Sequence, residues 1–169
     1  CWESLSNRSS LILFDLYKKV IFLLPPEISH TASLKTADFL YKFLPKKNLK
    51  DQKYIKLMGI NFTGKLGLAA GFYKNCDYLN FSNNIGLVFV ELGTVTPRAQ
   101  NGNKKPRVYR ISKDMAILNH LGFNNKGVLY LKNKLKCFER RIPIGVNIGK
   151  NATTSIESAY EDYNYCIRE

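Results

Sequence analysis

With 169 residues, 45% of them hydrophobic, the chain can bury a core but falls short of a whole eight-stranded (β/α) barrel, which takes roughly 250 residues. The net charge of +13 comes without a dense basic block and without the aromatic-basic signature of an RRM, OB or KH module, so it suits anionic ligands and lipid head groups at least as well as nucleic acid. Four cysteines show no C-x-x-C pair and no metal-like spacing with the two histidines, so reduced thiols and no metal site are expected.

Leu11-Ile12-Leu13-Phe14 and Val20-Ile21-Phe22-Leu23-Leu24 flank Asp15, Lys18 and Lys19, three charges that share one narrow helical face and leave a wide apolar arc. The segment is too short and too charged to span a bilayer, and it lacks a signal-peptide cleavage site. Two readings stand: a helix lying in the membrane interface, and an ordinary amphipathic helix packed on the domain. Pro25-Pro26 ends it and pre-sets a second helix, with Glu27 in the first turn where the helix dipole favours an acid. That helix is expected to run to about Leu44 and stop before Pro45. The pair reads as a helical hairpin with its apolar faces turned inward. His30 lies near its tip, where a lone histidine is ordinarily structural. Residues 46–53 form a lysine-rich polar linker, so the domain boundary is placed there, dividing residues 1–53 from 54–169.

Tyr54 to Gly64 reads as a short hairpin around Met58-Gly59-Ile60-Asn61. Gly67-Leu68-Ala69-Ala70-Gly71-Phe72-Tyr73-Lys74 is an apolar run that stops at glycine, aromatics and one lysine. Its small residues would let a flat ligand lie on the backbone; the plain reading is a strand end followed by a solvated lysine. The pattern recurs. Ile85 to Gly93 runs into Thr94-Val95-Thr96-Pro97, and Ile142 to Val146 runs into Asn147-Ile148-Gly149-Lys150. Helices are expected over 76–84, with Asn75 as its cap, and over roughly 126–138 and 153–167. The resulting β-α-β-α-β order brings Lys74, Thr94 and Asn147 to one rim. The fold class is α/β, the first part of a (β/α) TIM-type barrel preceded by the helical hairpin.

Between the second and third runs, residues 97–106 form a long polar loop and Arg107 to Ile111 alternates like a short strand. The amides clustered around Gly122 in Asn119-His120-Leu121-Gly122-Phe123-Asn124-Asn125 suit a small planar ligand rich in C=O and N–H groups. A helix-capping turn would need only one of them. Cys1 is no initiator methionine, and both ends read as those of a fragment.

Five stretches together resemble the quinone-linked (class 2) dihydroorotate dehydrogenases: Gly67 to Phe72 with Lys74, Glu91 to Arg98, Lys105 to Arg110, Leu121 to Asn125, and Gly145 to Asn151. The likeness is collinear from about residue 10 onward. It implies an FMN-containing (β/α) barrel that oxidises dihydroorotate to orotate in pyrimidine synthesis and passes electrons to a membrane quinone. By matching position, Ala70, Gly71, Phe72, Tyr73, Lys74, Thr94 and Asn147 would contact FMN. Lys74 would also face the substrate, with Asn119, His120, Leu121, Gly122 and Phe123. His30 and Arg110 would line the quinone end, and the helical pair would form the membrane-facing mouth of the quinone tunnel. The family's serine base is expected beyond Glu169, so no catalytic base is expected within this chain and residues 1–169 alone are expected to be inactive.

Three positions depart from the pattern: Tyr73 stands for aspartate, Cys76 for glycine and His120 for arginine. The first two flank the expected flavin contact, and the third removes a permanent cation from the expected substrate segment. An inactive remnant of the enzyme and a basic nucleic-acid-binding domain are the competing readings; the enzyme reading has no nucleic-acid partner. It places the protein peripherally on the cytoplasmic face of a bacterial inner membrane, with a mitochondrial inner membrane as the alternative.

Overall fold

A computed structural model describes residues 13–41, 43, 54–79, 86–138 and 142–169. Residues 13–22 are helical (α1), and a second helix, α2, runs Pro26–Tyr41. Pro26 takes the first helical position, where its missing N–H costs nothing, and the Pro25 carbonyl accepts the Ser29 N–H at 2.9 Å. The two helices touch through Tyr17, whose hydroxyl donates to Ser33 Oγ at 2.7 Å. α2 ends short of Leu44, its last turn closing as Phe43 N–H meets the Leu40 carbonyl.

The apolar faces are not turned inward. Leu13, Phe14, Leu16, Val20, Phe22 and Leu23 of this region are all exposed, as are Ile28, Phe39 and Leu40, while Leu34 is buried. The charged face forms as expected, with Lys18 and Asp15 paired one turn apart at 3.0 Å.

β1 (Ile55–Leu57) and β2 (Ile60–Phe62) make the expected antiparallel hairpin. Met58 and Gly59 both hold positive φ, 49° and 76°, the twist that a two-residue hairpin turn requires. Phe62 meets Phe89 edge to face at 5.7 Å, and Phe89 lies so close over Gly67 that a Cβ there would sit 2.2 Å from the ring.

At the centre, β3 (Val90–Val95) pairs in parallel with β6 (Ile144–Ile148), and Leu68 bridges in parallel to Val90 on the other side of β3. Three consecutive parallel segments thus lie side by side in chain order. Val90, Leu92 and Val95 are essentially inaccessible, packed in one cluster with Val128 and Leu131 of α3 (Val128–Lys136) and Cys166 of α4 (Ala159–Arg168). α3 and α4 pack on Val90, Leu92 and Val95 of β3, whereas Glu91 and Thr94 are only half-buried.

The first run is shorter as a strand than its sequence suggests. It reduces to the bridge at Leu68, and residues 70–78 form turns. Over 76–84 the expected helix is absent at residues 76–79, where 76–78 form turns and Leu79 is buried, and residues 80–84 lie outside the described residues. Cys76 has a φ of 63°, a left-handed conformation that breaks a helix at its start, and it occupies the position where glycine was the expected residue. Asn75 caps no helix there; its Oδ1 accepts the Lys126 N–H at 2.9 Å.

β3 begins five residues after Ile85, and β6 begins after Pro143, which lacks an N–H to give a ladder. Residues 153–158 form turns before α4 begins. One further strand is unexpected from the sequence: β5 (Ala116–Asn119) pairs antiparallel with β4 (Val108–Ile111) across a short 3-10 turn. The linker assigned to residues 46–53 lies outside the described residues.

Candidate functional site

The carboxyl ends of the three parallel segments interlock. Gly71 N–H donates to the Gly93 carbonyl at 2.8 Å, tying the end of the first to the end of β3. Thr94 Oγ1 donates to Asn147 Oδ1 at 2.6 Å, tying β3 to β6, and Asn147 Nδ2 reaches Glu91 Oε1 at 3.4 Å. Only glycine fits at position 93, where a Cβ would lie 2.4 Å from the Asn147 carbonyl oxygen. The rim therefore carries hydroxyl and amide groups above an apolar sheet.

Lys74 closes the rim on one side, donating from Nζ to Asn124 Oδ1 at 2.7 Å. Burial first, and then the Arg107 charge, push its ammonium below the ordinary lysine range, while Glu27 pulls it back. This contact brings Lys74 against segment 119–125, while the Thr94 hydroxyl meets the Asn147 amide at the ends of β3 and β6. A Cβ at Gly71 would meet nothing within 4 Å, so the backbone there is open to a flat group. Phe72 is partly exposed at the rim, whereas the Tyr73 ring is buried in the core cluster and meets Phe72 at 5.0 Å.

The polar loop 97–106 holds segment 119–123 by its carbonyls. Gln100 Nε2 donates to the carbonyls of Gly122 and Phe123, at 3.1 and 3.3 Å. Asn103 donates to the carbonyls of His120 and Leu121, at 2.6 Å from its side chain and 3.1 Å from its backbone. Asn119 ends β5 and is exposed. The His120 ring stacks on Tyr109 at 6.0 Å, a place on the β4–β5 hairpin that its sequence position does not reveal.

Of the clustered amides, Asn125 is the buried one, just before α3, whose N-cap is Gly127 with no side-chain cap bond. Its Oδ1 accepts from the backbone of Thr96 and Gly127, and its Nδ2 donates to Thr96 Oγ1 and the Phe123 carbonyl. Asn151 is its buried counterpart, bonded to Thr96, Arg98 and Gln100. Gln100 and Asn103 carry no periodic or motif signal of their own, whereas Asn151 closes the last of the five stretches that carry the resemblance. The density of amides beside glycines was the available clue.

His30 and Arg110 each join the helices to the rest, through different partners. His30 Nε2 lies 3.1 Å from the Phe72 carbonyl, its ring edge-on to Phe72 at 5.0 Å. Arg110 donates to the carbonyls of Leu24, at 2.9 Å, and Phe22, at 3.3 Å, and to Ser29 Oγ, next to His30. Its guanidinium also lies over the Phe22 ring at 4.5 Å. Beside it, the buried Arg107 pairs with Glu27 at 2.9 Å. Burial alone would raise the Glu27 carboxyl, but the Arg107 hydrogen bond and charge, helped by Lys105 and Lys74, hold it below the ordinary range.

Among the described residues no group of three or more His, Cys, Asp or Glu could hold a metal ion, and no helix is long and apolar enough to cross a membrane. A cleft of about 560 Å³ between residues 97–99, α3 and α4 includes none of the rim residues 70–74, 94 or 147.

A family model described as dihydroorotate dehydrogenase matches residues 53–169. Among curated proteins, the dihydroorotate dehydrogenase (quinone) of Buchnera aphidicola is 44% identical over 94% of this chain and 48% of its own length. That of Acinetobacter baylyi is 40% identical over 94% and 47%. The chain thus spans about half the length of the curated relatives it matches. Among solved structures, the DHODH of Eimeria tenella in complex with ferulenol superposes with a TM-score of 0.70 at 35% identity, over 88% of this chain and 43% of that one. Its ligand-free form gives 0.69 at 37%, over 84% and 41%. The collinear motifs, the parallel strand order and these matches agree that the chain belongs to the dihydroorotate dehydrogenase family.

Proposed function

We propose that these residues are the N-terminal part of a quinone-dependent dihydroorotate dehydrogenase, which oxidises dihydroorotate to orotate in pyrimidine synthesis and passes the electrons to a membrane quinone. The observation that carries this is the pair of contacts Thr94 to Asn147, at the ends of the parallel β3 and β6, and Lys74 to Asn124, beyond the first parallel segment. The open backbone at Gly71 and the polar groups of Lys74, Thr94 and Asn147 fit the edge of a flat, carbonyl-rich ring system, so Ala70 to Lys74 with Thr94 and Asn147 are the residues to hold FMN. When bound, FMN supplies the hydride acceptor. Lys74 offers a cation to the substrate carboxylate, and Asn119 to Phe123 offer donors and acceptors to the ring of dihydroorotate or orotate. Their fixed carbonyls keep that ring at one distance and angle.

In this reading residues 1–53 form the membrane and quinone segment, and residues 54–169 form about three β/α units of an incomplete barrel. Exposed apolar side chains on α1 and α2 favour a peripheral position on a bilayer, on the cytoplasmic face of a bacterial inner membrane or, alternatively, on a mitochondrial inner membrane. His30 and Arg110, both beside Ser29, are the proposed quinone-side residues. With no positioned base assigned here, residues 1–169 by themselves are proposed to lack dehydrogenase activity.

The test is anaerobic mixing of the full-length protein with dihydroorotate. Bleaching of the flavin band, followed by recovery on adding a quinone, is the expected outcome; a flavin that dihydroorotate leaves oxidised would overturn the assignment. Expression of residues 1–169 alone should give no turnover, and an active yellow preparation would refute the division of labour.

A further inference from the structure

The Glu27–Arg107 pair is a buried contact for which the proposed reaction has no evident use. Arg107 is 7% exposed, and its Nε and Nη2 both donate to Glu27 Oε1, at 3.1 and 2.9 Å. Its remaining nitrogen, Nη1, donates to the carbonyls of Asn101 and Asn103. Asn103 in turn holds the His120 and Leu121 carbonyls, and the Arg107 carbonyl accepts the His120 N–H at 3.0 Å. From the first turn of α2 to segment 119–123, every link is a hydrogen bond, and only Arg107 and Asn103 stand between. The joint has no slack: a Cβ on Gly102 would lie 2.2 Å from the Leu121 carbonyl oxygen and 3.0 Å from Arg107 Nη1.

We propose that Glu27 and Arg107 are positioning residues for the substrate segment, so that docking of α2 and correct placement of residues 119–123 are one event. The proposal rests on the reading of 119–123 as the dihydroorotate contact. A guanidinium is needed here because three of its nitrogens are used at once, on two different chain segments; a lysine could not reproduce that fork. Glu27 supplies the opposite charge that lets a cation remain buried between them.

The experiment uses the full-length flavin-loaded protein with Glu27→Gln and Arg107→Lys, each followed in both half-reactions. Flavin reduction should lose about tenfold in kcat/KM for dihydroorotate through KM, since a small misplacement of a binding segment has effects of this order or larger, and any change in the quinone KM should accompany that loss rather than replace it. Tyr130→Phe, which breaks the part-buried contact with Asp77 away from this joint, should move neither. If wild-type protein fails to reduce its flavin with dihydroorotate, the underlying functional reading fails. If wild type is active and both variants keep their dihydroorotate KM, or change only the quinone KM, the positioning proposal is overturned. Hydrogen exchange of the wild-type protein decides the matter without any variant. Saturating orotate should slow exchange at residues 29–31 as well as 119–123, and protection confined to 119–123 would overturn the coupling.

Discussion

Val90, Leu92 and Val95 are buried on a parallel strand with polar groups gathered at its end, whereas the helical region leaves Leu13, Phe14 and Leu23 in solvent and sends its polar contacts inward. Arg107, Arg110 and His30 join the two regions through a carboxylate, three backbone carbonyls and a hydroxyl. One region is held together by apolar burial and acts through polar groups. The other is held by polar groups and presents an apolar surface. A polar attachment beneath an apolar exterior is what a helix pair needs if a bilayer covers its outside.

The contrast can be broken most forcefully at β3. Leu92→Ala should destabilise the full-length protein by about 2–5 kcal/mol in chemical denaturation, because β3 is enclosed by helices and cannot collapse around the gap. By comparison, Leu23→Ser should shift the same midpoint by less than about 0.5 kcal/mol, its side chain being 85% exposed. If the two losses prove equal, the regions are not built differently.

Flotation with anionic liposomes probes the outer surface. Removing residues 1–45 should abolish it, and Leu23→Ser should weaken it by about 1.5–3 kcal/mol if that side chain is fully buried in lipid. Equal flotation of the truncated protein would sink the membrane assignment.

At the junction, Arg110→Ala should raise the quinone KM by roughly tenfold, the scale of a lost charge-assisted hydrogen bond, with flavin reduction by dihydroorotate nearly unaltered. Stopped-flow traces separate the two steps, and a slowed reductive step with normal quinone kinetics would reverse the assignment.

The smallest effect is expected with pH. Glu27 has a folded-state pKa held below its unfolded value of about 4.3, so its contribution is present above that value and fades as pH falls through the folded one. Amide exchange in α2 should therefore accelerate in acid, with a midpoint below the ordinary glutamate range, and Glu27→Gln should remove that step.

Much of the rim is legible in the residue order, because an apolar run that stops at Lys74, Thr94 or Asn147 announces both a buried strand and the group delivered at its end. β5 gives no such signal: all four of its residues are exposed, so its pairing with β4 leaves no alternation to read. Arg107 sits in a basic, polar stretch that looks solvated, and its burial follows from the distant Glu27 together with the Asn101 and Asn103 carbonyls. The turns after Leu68 are likewise hidden, since the left-handed backbone at Cys76 belongs to a residue type that rarely adopts it. The outward apolar faces of α1 and α2 could not be told from inward ones by periodicity, which fixes which side chains share a face but not what that face meets.

The contact of Phe89 with Gly67 also has a bearing on how the family's sequences can drift. The ring occupies the space where any side chain at position 67 would begin, and it reaches Phe62 on the β1–β2 hairpin from the same place. Substituting either partner alone leaves a collision or a void, so the two positions should change as a pair across lineages: a larger residue at 67 accompanied by a smaller one at 89. The hairpin, anchored by the aromatic edge contact, should then vary at Phe62 in step with them.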